Sequence, residues 1–180
     1  LSTRTSRIPS STLPDATSPS VLRYRMPVTL TLGGGGDLCG WLSLSRHSEF
    51  RSGPQTLLER LNERVRVVPV VEGEVTTLVT RALIEWAEAA PGVDAALLGP
   101  AAFVVTREEH AVVRLRSGGV LEGIIEMEMP AGLNRTSDFI NIGDDFFALL
   151  CGERTLLVNK RRVRDVRLDA RTLEKQSGLL

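Results

Sequence analysis

Apolar residues alternate with polar ones along most of this chain, at the two-residue period of half-buried β-strands. Val28, Leu30 and Leu32 alternate with Thr29 and Thr31, and Leu38, Gly40, Leu42 and Leu44 resume the pattern after Gly33–Gly36 and Asp37. That predicts a hairpin. Thr56-Leu57-Leu58-Glu59 fits a capping box, and Leu57, Leu58, Leu61 and Val65 recur at helical spacing, which predicts a short helix over 56–63. Val65–Val71 is dense in β-branched residues and reads as a strand, which Pro69 pushes toward a sheet edge. Gly73-Glu74 turns the chain and Thr76–Thr80 returns it. Leu83–Ala90 stays open between a helix, which its alanines favour, and a strand.

The second half of the chain is patterned more clearly. Ala101–Thr106, with Phe103, Val104 and Val105, is a candidate extra strand. Val113 and Leu115 lie on one strand face; Leu121, Gly123, Ile125, Met127 and Met129 form the next, opposite Glu122, Glu126 and Glu128. Phe146, Phe147, Leu149 and Leu150 read as a buried strand with Leu156–Val158 as its hairpin partner. Phe146, Leu149, Leu121, Ile125 and Val158 are the expected core. Val163 and Val166 are out of step with the alternation, which predicts a tight turn or bulge near Asn159–Arg162 before a last short strand.

Val112–Leu168 matches a fainter version of itself from about Val28 to Ala87. Gly35, Gly36, Leu38 and Gly40 correspond at one offset to Gly118, Gly119, Leu121 and Gly123. Asn62, Gly73, Glu74, Thr76, Leu78 and Val79 correspond at another to Asn141, Gly152, Glu153, Thr155, Leu157 and Val158. A duplicated module is the expectation. The segment VRLRSGGVLEGIIEM resembles the first signature of the Sm-type small β-barrels, and LLVNKRRVRDVRL resembles the second in outline. The resemblance implies a mainly β fold: two tandem small five-stranded barrel-like modules with short helices and an extended N-terminal arm. The corresponding domains are 1–27 (arm), 28–90 (first module), 91–111 (linker), 112–169 (second module) and 170–180 (tail). It does not bring the RNA site with it. Sm proteins use an Asp and an Asn after the long strand and an Arg-Gly in the last turn. Here PAGLNRTSDFIN is much longer, and Asn159-Lys160-Arg161 has no glycine.

Composition narrows the function. Lys plus Arg and Asp plus Glu balance at 22 each, so no global field draws the chain to nucleic acid or an anionic membrane. No apolar run reaches the length of a membrane span. Two cysteines, Cys39 and Cys151, are too few for a disulfide framework, which places the chain in a reducing, cytoplasmic compartment with both thiols buried on strands. Leu1–Pro27 is rich in Ser, Thr, Pro and Arg with one acid, Asp15. It reads as an extended arm, with a transit peptide as the alternative.

Candidate chemistry is sparse. Gly33–Gly36 precedes a strand and not a helix N-terminus, so it reads as a turn and not a phosphate cradle. His47 and His110 stand in unrelated positions, and no paired Cys or His spacing suits a metal. Asp138, Asp144 and Asp145 are acids near loops, the Asp144-Asp145 pair before Phe146-Phe147 reads as a polar strand rim, and Asn134-Arg135-Thr136 reads as a chance glycosylation pattern. No catalytic residue, metal or cofactor is expected. The sequence points instead to a non-catalytic structural or accessory subunit that docks on other protein subunits of a multi-subunit complex, through its barrel surfaces and its arm. Arg4, Arg7, Ile8, Leu13, Leu22, Arg23, Tyr24 and Arg25 are the arm's candidate contacts. The alternative is an Sm-like RNA- or DNA-binding regulator using Lys160, Arg161, Arg162 and Arg164 in the basic stretch 160–167.

Overall fold

The computed structural model describes residues 23–50, 52–99, 107–128 and 135–168. In chain order the first half contributes β1 (Arg23–Leu32), β2 (Asp37–Ser45), helix α1 (Leu57–Asn62), β3 (Val67–Glu72), β4 (Val75–Thr80) and β5 (Ile84–Ala89). The second contributes β6 (Arg107–Leu115), β7 (Val120–Met127), helix α2 (Thr136–Asn141), β8 (Phe146–Cys151), β9 (Arg154–Asn159) and β10 (Val163–Leu168). Short 3-10 turns, Arg81–Leu83 and Lys160–Arg162, lead into β5 and β10.

All ten strands join in one antiparallel sheet, in the order β10-β6-β7-β8-β9-β5-β1-β2-β3-β4. This corrects the expected pair of closed five-stranded barrels. β5 pairs with β1 on one side and β9 on the other, so the halves share a continuous ladder. The sheet ends in open edges at β4 and β10. The interior is shared as well: Phe146 and Leu157 bury among Met26, Leu30, Leu42, Leu61 and Ile84, while Trp86 packs against the cluster of Leu115, Ile125, Phe147 and Val158. The Sm-like barrel and the tandem duplication both fall with that arrangement, since neither half is self-contained. The shared glycines reflect a requirement common to any tightly packed antiparallel sheet. A Cβ on Gly40 would stand 2.9 Å from the Val71 carbonyl oxygen, and one on Gly123 would collide with that of Leu150. Those contacts demand glycine whether or not the sheet closes.

Local elements form for local reasons. Thr56 Oγ1 accepts from the Glu59 N–H at 3.2 Å while Glu59 accepts from the Thr56 N–H at 2.8 Å, closing the capping box of α1. Leu57 and Leu61, one turn apart, are fully buried. Ile84–Ala89 is a strand, because pairing on both flanks overrides alanine's helical preference. Although β3 lies between β2 and β4, its ladder with β2 is at Trp41–Val71, so Pro69 pairs with Leu78 on the β4 side and has no β2 partner. Helix α2 has no counterpart in the sequence expectations. Phe146, Leu149, Ile125 and Val158 are buried as expected, whereas Leu121 is only partly so. Residues 101–106, Met129, Asn134 and the tail lie outside the described residues.

Candidate functional site

Two places on this sheet stand apart from the rest, the seam where its halves meet and the open edge at β4. At the seam, β5 runs antiparallel to β9 with Trp86 opposite Val158, Ala87 opposite Leu157 and Glu88 opposite Leu156. Side chains lock it. Asn62, at the end of α1, accepts from the Phe146 N–H at 2.8 Å and donates to the Phe146 carbonyl at 3.1 Å. Asn159 donates from Nδ2 to the Ile84 carbonyl at 2.8 Å and is itself buried. Arg154 grips Glu88 through Nε and Nη2, at 2.6 and 2.5 Å. Ser117 donates to the buried Glu85 carboxylate at 2.8 Å.

Asp145 is the ionic centre of the seam. Arg81 Nη2 reaches it at 2.7 Å and Arg161 Nε at 2.8 Å, from the two 3-10 turns. Arg81 also donates to the Val65 and Leu61 carbonyls at 3.1 Å each. Burial pushes the Asp145 carboxyl up, but the hydrogen bonds and charges of Arg161 and Arg81 outweigh it and hold its pKa below the ordinary value. The acid taken as a strand rim is thus a bridge between halves.

The basic stretch is partly engaged within the fold. Lys160 donates to the carbonyls of Phe139 at 2.5 Å and Ile142 at 2.9 Å, and stands 4.5 Å above the Phe139 ring. Burial lowers its pKa against the pull of Asp144 and Asp145. Arg161 holds Asp145, Arg164 pairs with Asp165 at 2.9 Å, and the Arg162 guanidinium fills the space where Gly33 would carry a Cβ. Lys160 and Arg162 are therefore held within the fold, whereas the Arg161 and Arg164 side chains stay 66% and 58% exposed beside their partners.

The chemistry-bearing residues are not assembled. His47 follows β2 and His110 lies on β6, and no group of three or more His, Cys, Asp or Glu among the described residues could hold a metal. A cleft of about 690 Å³ is lined in part by Phe50, Leu58, Glu49, Glu59, Glu63 and Asp144. Glu59 is engaged by Thr56 and Ser48, and Glu63 by Arg60 and Gln55. The expectation of buried thiols is corrected: Cys39 is exposed and Cys151 half-buried. Among the described residues no helix is long and apolar enough to cross a membrane. Of the arm residues, Tyr24 and Arg25 are exposed on β1, and Arg23 begins that strand. Arg4, Arg7, Ile8, Leu13 and Leu22 lie outside the described residues.

The edge at β4 is the feature the sequence reading missed. Its six residues, VTTLVT, contain no charge and no proline, and Val75 and Leu78 are each 65% exposed. Soluble sheets normally protect such an edge with charged residues, proline or a bulge. The opposite edge does so, with Arg164, Asp165 and Arg167 on β10. The direction of the free backbone groups on β4 follows from the turn before it. Gly73, at φ +58°, and Glu74 make a two-residue connection between Glu72 and Val75. Such a turn closes on a hydrogen-bonded pair, and bonded and non-bonded pairs then alternate. Val75, Thr77 and Val79 bond inward to β3. Thr76, Leu78 and Thr80 direct N–H and C=O outward. Pro69, which has no N–H, sits opposite Leu78 at a non-bonded pair, as that alternation requires. A two-residue glycine turn after a proline strand, followed by six uncharged residues, was the available signal.

The chain matches no family model, no curated protein and no solved structure.

Proposed function

We propose that this protein is a non-catalytic structural or accessory subunit, and that it docks on other protein subunits through the β4 edge of its sheet. The unprotected edge carries this reading. Three residues present outward N–H and C=O groups along an uncharged strand flanked by exposed Val75 and Leu78. An added strand would satisfy those groups and cover both side chains. The locked seam supports the same reading, because a rigid sheet presents its edge without an ordering cost at binding. The arm, with Arg4, Arg7, Ile8, Leu13 and Leu22, and the start of β1, with Arg23, Tyr24 and Arg25, form a second proposed contact with the same protein partners. Nucleic acid is the less favoured partner, since Lys160 would have to leave its carbonyl contacts and Arg162 its place over Gly33, and Arg161 and Arg164 are already paired with Asp145 and Asp165.

The test is isolation of the tagged protein from its own cells, followed by native mass spectrometry. Protein subunits should accompany the wild type in fixed ratio, and Leu78→Lys should release them while leaving the circular dichroism spectrum unchanged. Isolation without a stoichiometric protein partner, or a complex indifferent to Leu78→Lys, rejects the reading.

A further inference from the structure

Resting on the docking role proposed for β4, we infer that its occupant is β4 of a second copy of this chain, paired antiparallel about a two-fold axis through Leu78. Strands added in register must match core face to core face and outer face to outer face. Val79 is buried, so Val75, Thr77 and Val79 share the core side, and Thr76, Leu78 and Thr80 the other. A two-fold axis at Leu78 respects that division. Leu78 then opposes the second copy's Leu78, Thr76 opposes its Thr80, and Thr77 its Val79. The three facing pairs that involve Thr76, Leu78 and Thr80 are the ones whose backbone groups point outward, so each can exchange both hydrogen bonds.

Charge selects this arrangement over the other edge. No charged residue lies on β4, so self-pairing brings no like charges together and leaves none unpaired. The exposed Leu78 side chains, now adjacent, cover each other. Pairing with β10 of a second copy would instead set Arg167 beside a strand that has no acid, Arg164 being already paired with Asp165. The β5–β9 seam shows what a lateral junction in this sheet uses: Glu88 against Arg154, and Asn159 on the Ile84 carbonyl. β4 has neither an arginine nor an asparagine to repeat it.

The experiment measures the mass of the full chain in solution by sedimentation velocity over a wide concentration range. The wild type should reach a dimer. Leu78→Pro removes an N–H that points away from β3, together with the exposed leucine side chain, and should yield a monomer; Leu78→Lys should do the same by placing like charges face to face. Leu168→Lys, on the other edge, should leave the dimer intact. A positive arm replaces both native cysteines by serine and introduces Leu78→Cys. Directly opposed residues in a bonded pair stand about 5.5 Å apart at Cα, within the disulfide range of about 4.4–6.8 Å, so mild oxidation should give a covalent dimer. Leu168→Cys should give none. A wild type that stays monomeric, a dimer that survives both Leu78 substitutions, or rings and filaments broken by Leu168→Lys would overturn the two-fold pairing. A monomeric wild type whose cellular complex still depends on Leu78 would sink this inference and leave the docking reading standing. A Leu78-dependent dimer with no other protein in the cellular complex would support the inference and make the second copy the subunit docked at β4.

Discussion

Asn62 holds Phe146 by both of its backbone groups, accepting from the N–H at 2.8 Å and donating to the carbonyl at 3.1 Å. The residues are far apart in sequence, and the contact ties the end of α1 to the first residue of β8. An amide side chain is required, because it alone supplies an acceptor and a donor side by side without charge. Asn62→Ala leaves both Phe146 groups unpaired and should cost about 1–3 kcal/mol, read as a shift in the urea midpoint. Asn62→Asp keeps the acceptor and should fall between the two. A midpoint unchanged by Asn62→Ala would show that water replaces the contact freely.

The two phenylalanines serve different sides of the interior. Phe146 packs in the cluster of the first half and Phe147 in that of the second, edge-on to Phe139 at 6.0 Å between centroids. Truncating either to alanine should cost about 3–5 kcal/mol. Because the halves share one ladder, either substitution should lower a single cooperative transition. Two separated transitions would contradict the continuous sheet.

Gly123 lies on β7 where the Leu150 carbonyl crosses it, with Cys151 Sγ close by. Gly123→Ala forces the ladder open and should destabilise by about 1–3 kcal/mol, the range for overpacking a well-filled site. Gly99 has open space around its Cβ position, and Gly99→Ala should be nearly silent by the same measurement.

The ionic centre gives stability a pH dependence of known sign. The Asp145 pKa is lower in the folded chain than in the unfolded one, so its stabilisation is present above the unfolded value and is lost as pH falls through the folded value. Thermal melts of Asp145→Asn should therefore show a shallower loss of stability on acidification than the wild type. Parallel acid limbs for the two proteins would remove Asp145 from that role.

The thiols should react in a defined order. Cys39 is exposed, while Cys151 is half-buried and its pKa is raised by burial, with Glu88 adding to the rise and Arg154 opposing it. Limited iodoacetamide treatment followed by peptide mass spectrometry should find Cys39 modified first. Equal rates would show that the β7–β8 region opens readily.

The sequence by itself determined the elements whose causes are local. Alternation placed β1, β2, β7 and β8, the Thr56–Glu59 reciprocal bonds placed α1, and glycine turns marked the hairpins. These depend on backbone preference and on neighbours a few residues away, which a linear pattern records. Tertiary structure decided what lies beyond that range. Whether ten strands close into two barrels or run on as one sheet depends on which strand β5 accepts as its second neighbour, and β9 is remote from it in the chain. That pairing turned the alanine-rich IEWAEA into a strand, drew Phe146 and Leu157 into the other half's core, and gave Asp145 its two arginines. It also set the ends of the sheet. The composition of VTTLVT is visible in the sequence, but only the strand order makes it an edge, since the same residues between two neighbours would have no free backbone groups to offer.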